Sequence, residues 1–306
     1  MGWNKKDVQD KSWTPLNQYY NKYKGKCVVS IGVLYVVATP IGNLQDFSPR
    51  AQSVLRQVDL IAAEDTRHSR HLLKHFGITT ACQSLHEHNE RQQSSVLLQR
   101  LQLGEDIALI SDAGTPLISD PGCYLIQSAL AVQIRVVAIA GPSALISALS
   151  VAGFRADRFV FEGFLPAKAL ARRQRLDSLA HETRTLVFYE APHRVLDSLN
   201  EMVQSFGQER EAVLVKELSK VFETVYRDSL GGIVKWLGVG RQKGEFVLVV
   251  QGAPPPDNNV LTPEVKRIFQ LLGKELPLKK AAKLTSEITG VSKNSLYAFG
   301  LEQKKL

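Results

Sequence analysis

From residue 33 onward, short β-branched runs alternate with stretches whose apolar residues return every three or four positions. That alternation belongs to strands feeding amphipathic helices, and it predicts an α/β fold with a largely parallel sheet. Residues 33–38 read as the first strand. Ser48 then offers an N-cap with Pro49 at the first helical position, opening a helix that runs to Gln57. Residues 60–63 form the next strand, followed by a helix that Gly77 closes. Residues 107–110 and 136–139 are predicted as buried strands, each running into a turn rich in Gly and Pro. This first α/β subdomain, residues 31–153, ends at Gly153.

The second subdomain, residues 154–253, begins its pattern at Phe159 and differs in kind. Residues 186–189, 212–215, 222–227 and 246–250 read as strands, and the middle two are close enough in sequence to form an antiparallel hairpin. The sheet is therefore expected to be mixed. Pro192 starts a helix whose apolar positions, Val195, Leu196, Leu199, Met202, Val203 and Phe206, share one face and read as core. The run Ala253-Pro-Pro-Pro-Asp257 is a stiff linker. Beyond it, residues 260–306 predict short helices, with 279–289 and 292–301 forming a helix–turn–helix-like pair around the Gly290 stop and the Ser292 N-cap.

Composition adds little to this picture, but the placement of charge changes it. The chain of 306 residues carries a net charge of +8. Residues 260–306 contribute +5 and residues 1–26 contribute +4, leaving the body between them near −1. Basic ends on a neutral body suit a small-molecule machine with electrostatic handles for a polyanion, and equally suit tails kept for solubility. Residues 1–30 lack apolar periodicity and are expected to be a disordered extension rather than a secretion signal. No apolar run reaches the roughly 18–20 residues that a membrane helix needs. Cys27, Cys82 and Cys123 are too few and too scattered for a disulfide framework or a zinc knuckle, so a reducing cytoplasm is expected.

Candidate chemistry sits in three turns that directly follow predicted strands: residues 38–43 (ATPIGN), 111–116 (SDAGTP) and 140–144 (AGPSA). In an open parallel sheet, ligands bind beyond the carboxyl ends of the strands, where small residues let backbone groups approach. None of the three is a G-x-G-x-x-G or P-loop motif, so neither a dinucleotide nor a nucleoside triphosphate is indicated. His86 and His88 invite a metal reading, but two histidines in a loop do not make a ligand set, and no metal is expected.

Longer motifs are more specific. LYVVATPIGNLQDFSPRA (34–51) and IAAEDTRHSRHLLKHFGI (61–78) are followed by LISDAGTPLISDPG (109–122), AIAGPSALISAL (138–149), FEGFLP (161–166), LVFYEAPHRV (186–195), KELSKVFETV (216–225) and KGEFVLVV (243–250). In this order they resemble the ribosomal RNA small subunit methyltransferase I family of the tetrapyrrole-methylase superfamily, over about residues 34–252. The resemblance implies a two-subdomain tetrapyrrole-methylase-like α/β fold, with a parallel-sheet first unit, a mixed-sheet second unit and a small helical C-terminal appendix. It implies S-adenosyl-L-methionine as co-substrate, without metal. The implied reaction is 2′-O-methylation of a cytidine ribose at position 1402 of 16S rRNA in the 30S subunit, by a homodimer. Residues 1–30 have no counterpart in the family. The tail departs from a DNA-reading helix–turn–helix, because Ala282 and Gly290 are too far apart for its tight turn, so RNA is the expected partner.

By the same resemblance, the donor would be held by Pro40, Asp112, Ala113, Gly114, Thr115, Pro142, Ser143, Tyr189 and Leu218. Asp112 would accept a hydrogen bond from the donor or cap its own turn. A ribose hydroxyl is a weak nucleophile at neutral pH, so a general base is expected. The candidates are Glu64 and Asp65 after the second strand, and Lys216 and Glu217 after a second-unit strand. Arg67 and Arg70 would meet RNA phosphates, although Glu64 to Arg67 also fits a capping and salt-bridge cluster. Lys279, Lys280, Lys283 and Lys293 would meet RNA from the tail. Two other functions fit parts of the pattern: a methylase of a small corrinoid-type substrate on the same fold, and a non-catalytic nucleic-acid-binding protein built around the tail.

Overall fold

The computed structural model describes residues 31–238, 240–255 and 259–303. The expected extension at residues 1–30, with Cys27, lies outside the described residues, as does part of the proline linker. Contacts divide the chain into one unit up to Gln251 and a second from Gly252.

The first unit holds two five-stranded sheets. The first sheet contains β1 (Val33–Val37), β2 (Leu60–Ala63), β3 (Cys82–Ser84), β4 (Ile107–Ile110) and β5 (Arg135–Ile139), in the order β3-β2-β4-β1-β5. All four pairings are parallel. Alternate residues of each strand point to opposite faces. Val33, Tyr35, Val37, Ile61, Ala63, Ala108 and Ile110 pack with helices α1 (Pro49–Gln57) and α2 (Thr66–His75). Leu34, Leu60, Ala62, Ile107 and Leu109 pack on the other side with α3 (Glu90–Gln102) and α4 (Cys123–Ala131). The helix after β1 and the helix after β4 thus lie on opposite faces of two adjacent strands, which opens a crevice at their carboxyl ends.

The local signals behave as read. Ser48 accepts the Ala51 N–H at 3.1 Å with Pro49 at the start of α1. Gly77 and Gly153 take left-handed backbone after α2 and α5 (Ala144–Ala152). Two expectations change. The polar three-residue strand β3 carries no sequence signal for a strand, and β5 is an edge strand in which only Ile139 is buried.

The second sheet holds β6 (Phe159–Phe164), β7 (Thr185–Glu190), β8 (Glu211–Lys216), β9 (Thr224–Ser229) and β10 (Phe246–Val250), in the order β6-β7-β10-β8-β9. Only β6 and β7 pair in parallel, so the sheet is mixed as expected. The second strand of the β8–β9 hairpin starts later than the pattern suggests, because Phe222 lies in the turn and is 78% exposed. One face of this sheet is covered by α6 (Ala169–Leu179), α7 (Val195–Phe206) and α8 (Leu230–Leu237). Four of the six apolar positions read as core on α7 are buried, while Leu196 and Val203 are partly so. The other face takes Leu145, Ala148, Leu149 and Ala152 of α5 against Val187, Val213, Val215, Val247 and Val249. Helix α5 leaves the last strand of the first sheet and packs on the second, which fixes the two sheets around one crevice.

The second unit is three helices, α9 (Pro263–Glu275), α10 (Leu278–Thr289) and α11 (Lys293–Gln303), around Val265, Phe269, Ala281, Ala282, Val291 and Leu296. Only Gly290, Val291 and Ser292 separate α10 from α11, and Gly290 is left-handed at φ +74°. The connection is thus as short as a tight turn despite the Ala282–Gly290 spacing, with Gly290 as a left-handed cap whose N–H donates to the Ser286 carbonyl. Among the described residues, no helix is long and apolar enough to cross a membrane.

Candidate active site

A cleft of about 370 Å³ opens at the carboxyl ends of β1, β2 and β4 and is closed on its other side by the second sheet. Its size falls within the range of small-ligand sites, roughly 300–1,000 Å³. The turns after β1 and β4 are stitched together: the Thr39 N–H donates to the Gly114 carbonyl at 2.8 Å, and the Gly114 N–H returns to the Thr39 carbonyl at 3.1 Å. The turn after β5 joins them through the Thr115 hydroxyl, which donates to the Pro142 carbonyl at 3.1 Å. Gly141 is needed here, because a Cβ on it would stand 2.9 Å from the Ala38 Cβ.

The acidic residues at the strand ends form a chain of contacts. Glu64 accepts the Asp112 N–H at 3.3 Å, and Asp112 accepts the Asp65 N–H at 3.1 Å. Burial raises the Glu64 carboxyl, with the Asp112 N–H opposing and the Asp112 charge reinforcing the shift. After Thr115 the chain makes an irregular excursion, with Leu117 at φ +74° and Ser119 at φ +72°, which returns Asp120 to the same cleft. Burial pushes the Asp120 carboxyl up to about 6, the Ser111 hydroxyl opposes this, and the charges of Glu64 and Asp112 add to it. The excursion is anchored at its far end by Glu90, whose carboxylate accepts the N–H groups of Gly122 and Tyr124 at 3.0 and 2.8 Å. Gly122 sits at φ +121°, and a Cβ there would meet Leu109 at 2.6 Å, so only glycine fits.

The second sheet supplies the apolar wall. Tyr189 packs edge-on against Phe161 and Phe164, with ring centroids 4.9 and 5.7 Å away, and Phe164 stays 53% exposed in the cleft. The Tyr189 oxygen accepts the Leu145 N–H at 3.0 Å. Burial raises its pKa, the Leu145 N–H opposes, and the Asp120 charge adds, so the phenol keeps its proton at neutral pH. Glu190 is committed elsewhere: it accepts from Ser198 at 2.5 Å and pairs with Arg194 at 3.5 Å.

The turn between β8 and β9 closes the far end. Glu217 and Ser219 both take positive φ, at +53° and +65°. Lys220 bridges Glu217 and Glu245 at 3.0 Å each, and its stem lies over Gly42, where a Cβ would stand 2.4 Å from it. The Ser219 hydroxyl donates to Asp46, tying this turn to the first sheet's side of the cleft.

Of the donor-site residues expected from sequence, Asp112, Ala113, Gly114, Thr115, Ser143, Tyr189 and Leu218 line the cleft. Pro40 and Pro142 do not; their neighbours Ile41 and Ser143 do. Of the four base candidates, only Glu64 faces it. Asp65 instead caps α2, accepting the Arg67 N–H at 2.8 Å and pairing with the Arg67 side chain at 2.9 Å, which makes it part of a capping and salt-bridge cluster. Lys216 donates to the Arg241 carbonyl at 3.0 Å. Burial works against the charged Glu217 carboxylate, but the Glu245 N–H and Lys220 hold it below its usual range. Ile41 belongs to the turn at residues 38–43 expected to meet the donor, whereas sequence reasoning does not single out Asp120 or Phe164. The signal for Asp120 is its place in the same motif as Asp112, eight residues on. Arg70 is exposed and makes no ion pair among the described residues, and the four tail lysines are exposed, with Lys283 3.7 Å from Glu287.

The sequence matches the family Tetrapyrrole (Corrin/Porphyrin) Methylases over residues 33–234, and the RsmI C-terminal HTH domain over residues 259–304. It is 56% identical over 279 residues to "Ribosomal RNA small subunit methyltransferase I" of Pseudomonas aeruginosa, covering 90% of this chain and 99% of that one. To the protein of the same name from Escherichia coli O157:H7 it is 51% identical, covering 90% and 96%. Among solved structures, diphthine synthase matches with a TM-score of 0.55 at 14% identity, covering 72% of this chain and 89% of that one. The uroporphyrin-III-C-methyltransferase of Thermus thermophilus matches with a TM-score of 0.53 at 18% identity, covering 72% and 94%.

Proposed function

We propose a reaction from one premise: the chain belongs to the tetrapyrrole methylase family and, within it, to the ribosomal RNA small subunit methyltransferase I family. It is an S-adenosylmethionine-dependent rRNA methyltransferase. Its reaction is the 2′-O-methylation of a cytidine ribose in the 16S rRNA of the small subunit, carried out in the cytoplasm by a homodimer.

The observation that carries this reading is the segregation of charge about the cleft. Inside, Glu64, Asp112 and Asp120 lie opposite the aromatic wall of Phe164 and Tyr189. That lining suits a flat donor carrying a positive sulfonium and an ammonium group. The helix that follows Glu64, α2, carries Arg67, Arg70 and Lys74 and has no acidic residue, which suits a polyanion, with Arg67 also paired to its N-cap Asp65. A cation is favoured in the cleft and phosphates along its lip.

The donor supplies an electrophilic methyl group; the chain's task is to align it with the ribose oxygen and exclude water, for which positioning contributes several kcal/mol. The stitched turns of Thr39, Gly114 and Thr115 give a rigid floor, and the β8–β9 turn gives a roof. In the test, purified protein is incubated with methyl-labelled S-adenosylmethionine and either 30S subunits or a corrinoid precursor. Label should enter 16S rRNA and survive as a 2′-O-methylcytidine on nuclease digestion and mass spectrometry. Label on a base, or on the corrinoid alone, would overturn the reading.

A further inference from the structure

We propose that the groove between α2 and the edge strand β3 is a phosphate track that holds the RNA strand flanking the target nucleotide. The inference rests on the rRNA reading above and adds to it the path of the substrate's backbone once it leaves the cleft.

The groove has a volume of about 460 Å³ and shares no lining residue with the donor cleft. It begins at Thr66, two residues beyond Glu64 in the cleft wall, and follows α2 as far as Gly77. At 1.5 Å per residue, the ten residues of α2 carry it roughly 15 Å away from the cleft.

Its lining is cationic without compensation. Arg70 and Lys74 lie one helical turn apart on the face of α2 that borders the groove. Both are exposed, and neither makes an ion pair among the described residues. Like charges at this spacing work against a helix, and a bound polyanion would reverse the sign of that term. No acidic residue lines the groove among the described residues, whereas Glu64, Asp112 and Asp120 line the cleft. Thr66 and Thr79 add hydroxyls that make no hydrogen bond among the described residues.

The floor is rigid and offers no stacking surface. Leu73 and Ile78 belong to the core under α2, and β3 is the last strand of its sheet, which leaves that side of the groove open. None of the lining residues is aromatic, so bases have no ring to lie on, and the groove suits the backbone of a strand of any sequence. Two cations at successive turns present two phosphate contacts along one direction.

Cys82 supplies a reporter inside the groove. It is an exposed free thiol on β3, and burial pushes its pKa up while the Arg70 charge opposes the rise, so the guanidinium lies within electrostatic reach of it.

The test reads binding in two ways on the full chain. In the first, alkylation of Cys82 by N-ethylmaleimide is followed by peptide mass spectrometry for the protein alone, with S-adenosylmethionine, and with 30S subunits. With 30S subunits about tenfold above their Kd, about a tenth of the protein is free, so alkylation should slow about tenfold. The donor alone should leave the rate unchanged. In the second, Arg70 and Lys74 are replaced together by Ala, which should reduce the slope of log 30S affinity against log salt by about 1.4–1.8 units. The same variant should raise KM for 30S subunits while kcat and donor affinity stay at their wild-type values. The charge-keeping exchange Arg70→Lys with Lys74→Arg should retain the wild-type slope. Cys82 alkylated at the same rate with and without bound 30S subunits, or a wild-type slope in the double Ala variant, would overturn the proposal. Neither measurement requires turnover, so the two readings fail separately. A methyl found on a base would overturn the 2′-O reading and leave the groove standing. An unprotected Cys82 in a complex that still yields 2′-O-methylcytidine would overturn the groove and leave that reading intact.

Discussion

Thr39 and Gly114 exchange two backbone hydrogen bonds, at 2.8 and 3.1 Å, across the ends of β1 and β4. The pair forms an isolated bridge beyond the sheet itself, so the turns that line the cleft are continuous with its floor. Gly114 takes φ +84°, and a Cβ there would meet Ile41 at 3.4 Å. Space is adequate, so strain in the backbone is the main cost of a side chain. Gly114→Ala should destabilise the fold by about 1–2 kcal/mol. It should also weaken donor binding by shifting the adjoining Asp112 and Thr115. Urea unfolding and calorimetry would check both, and a variant as stable as wild type would show that the bridge tolerates the change.

Asp112 stands between two roles. One oxygen holds the Asp65 N–H, and the side chain lines the cleft beside Glu64. Loss of a hydrogen bond to a charged acceptor costs about 1.5–3 kcal/mol. Asp112→Ala should therefore weaken donor affinity by roughly 10- to 150-fold without added metal. Calorimetry on the folded variant measures this directly; unchanged affinity would leave Asp112 with only its turn-holding role.

Signals that depend on single residues are readable without coordinates. Ser48 with Pro49 marks the start of α1, and Gly77, Gly153 and Gly290 mark helix ends. Strands buried on both faces, such as β4 and β10, announce themselves as unbroken apolar runs. Edge elements do not: β3 reads Cys-Gln-Ser and carries no periodicity, while β5 looks like β4 in sequence yet lies at the sheet margin. The cleft is half legible. Asp112 and Gly114 follow a strand directly, so topology alone puts them at its mouth. Asp120 arrives by way of positive φ at Leu117 and Ser119, conformations that no residue type there forecasts. Lys216 and Glu217 look catalytic because they end a strand, but neighbouring groups already occupy their charges.

The proton affinity of Asp120 has a consequence for stability in the absence of donor. Its folded pKa of about 6 lies above the unfolded value of about 3.9. Between those values the native state binds more protons than the unfolded chain, so this residue's contribution to stability falls as pH rises from about 4 to about 6 and is flat above. Asn cannot titrate. The stability of Asp120→Asn relative to wild type should therefore rise through that window and then level off. Denaturant unfolding at a series of pH values would show it; a constant difference between the two proteins would mean that Asp120 is not buried in the way described.

The tail gives the sharpest test of RNA docking, because pairing with phosphates has a signature in salt. Lys279, Lys280 and Lys283 lie on α10 and Lys293 begins α11. All four are exposed, so their replacement should leave the small core of Val265, Phe269, Ala281, Ala282, Val291 and Leu296 intact. Each phosphate that a lysine no longer neutralises reduces the slope of log affinity against log salt by about 0.7–0.9 units. Replacing all four with Ala should flatten the slope for 30S binding by up to about three units, with Lys283 contributing least because Glu287 stands 3.7 Å away. Donor affinity should not change, since none of the four lines the cleft. Arg70→Ala supplies the comparison at the cleft's lip: freeing one phosphate there should remove about one unit of slope and slow methylation at limiting substrate. A quadruple tail variant that keeps the wild-type slope and methylates 30S subunits normally would assign the RNA contacts to α2 and reduce the tail's lysines to a solvated face.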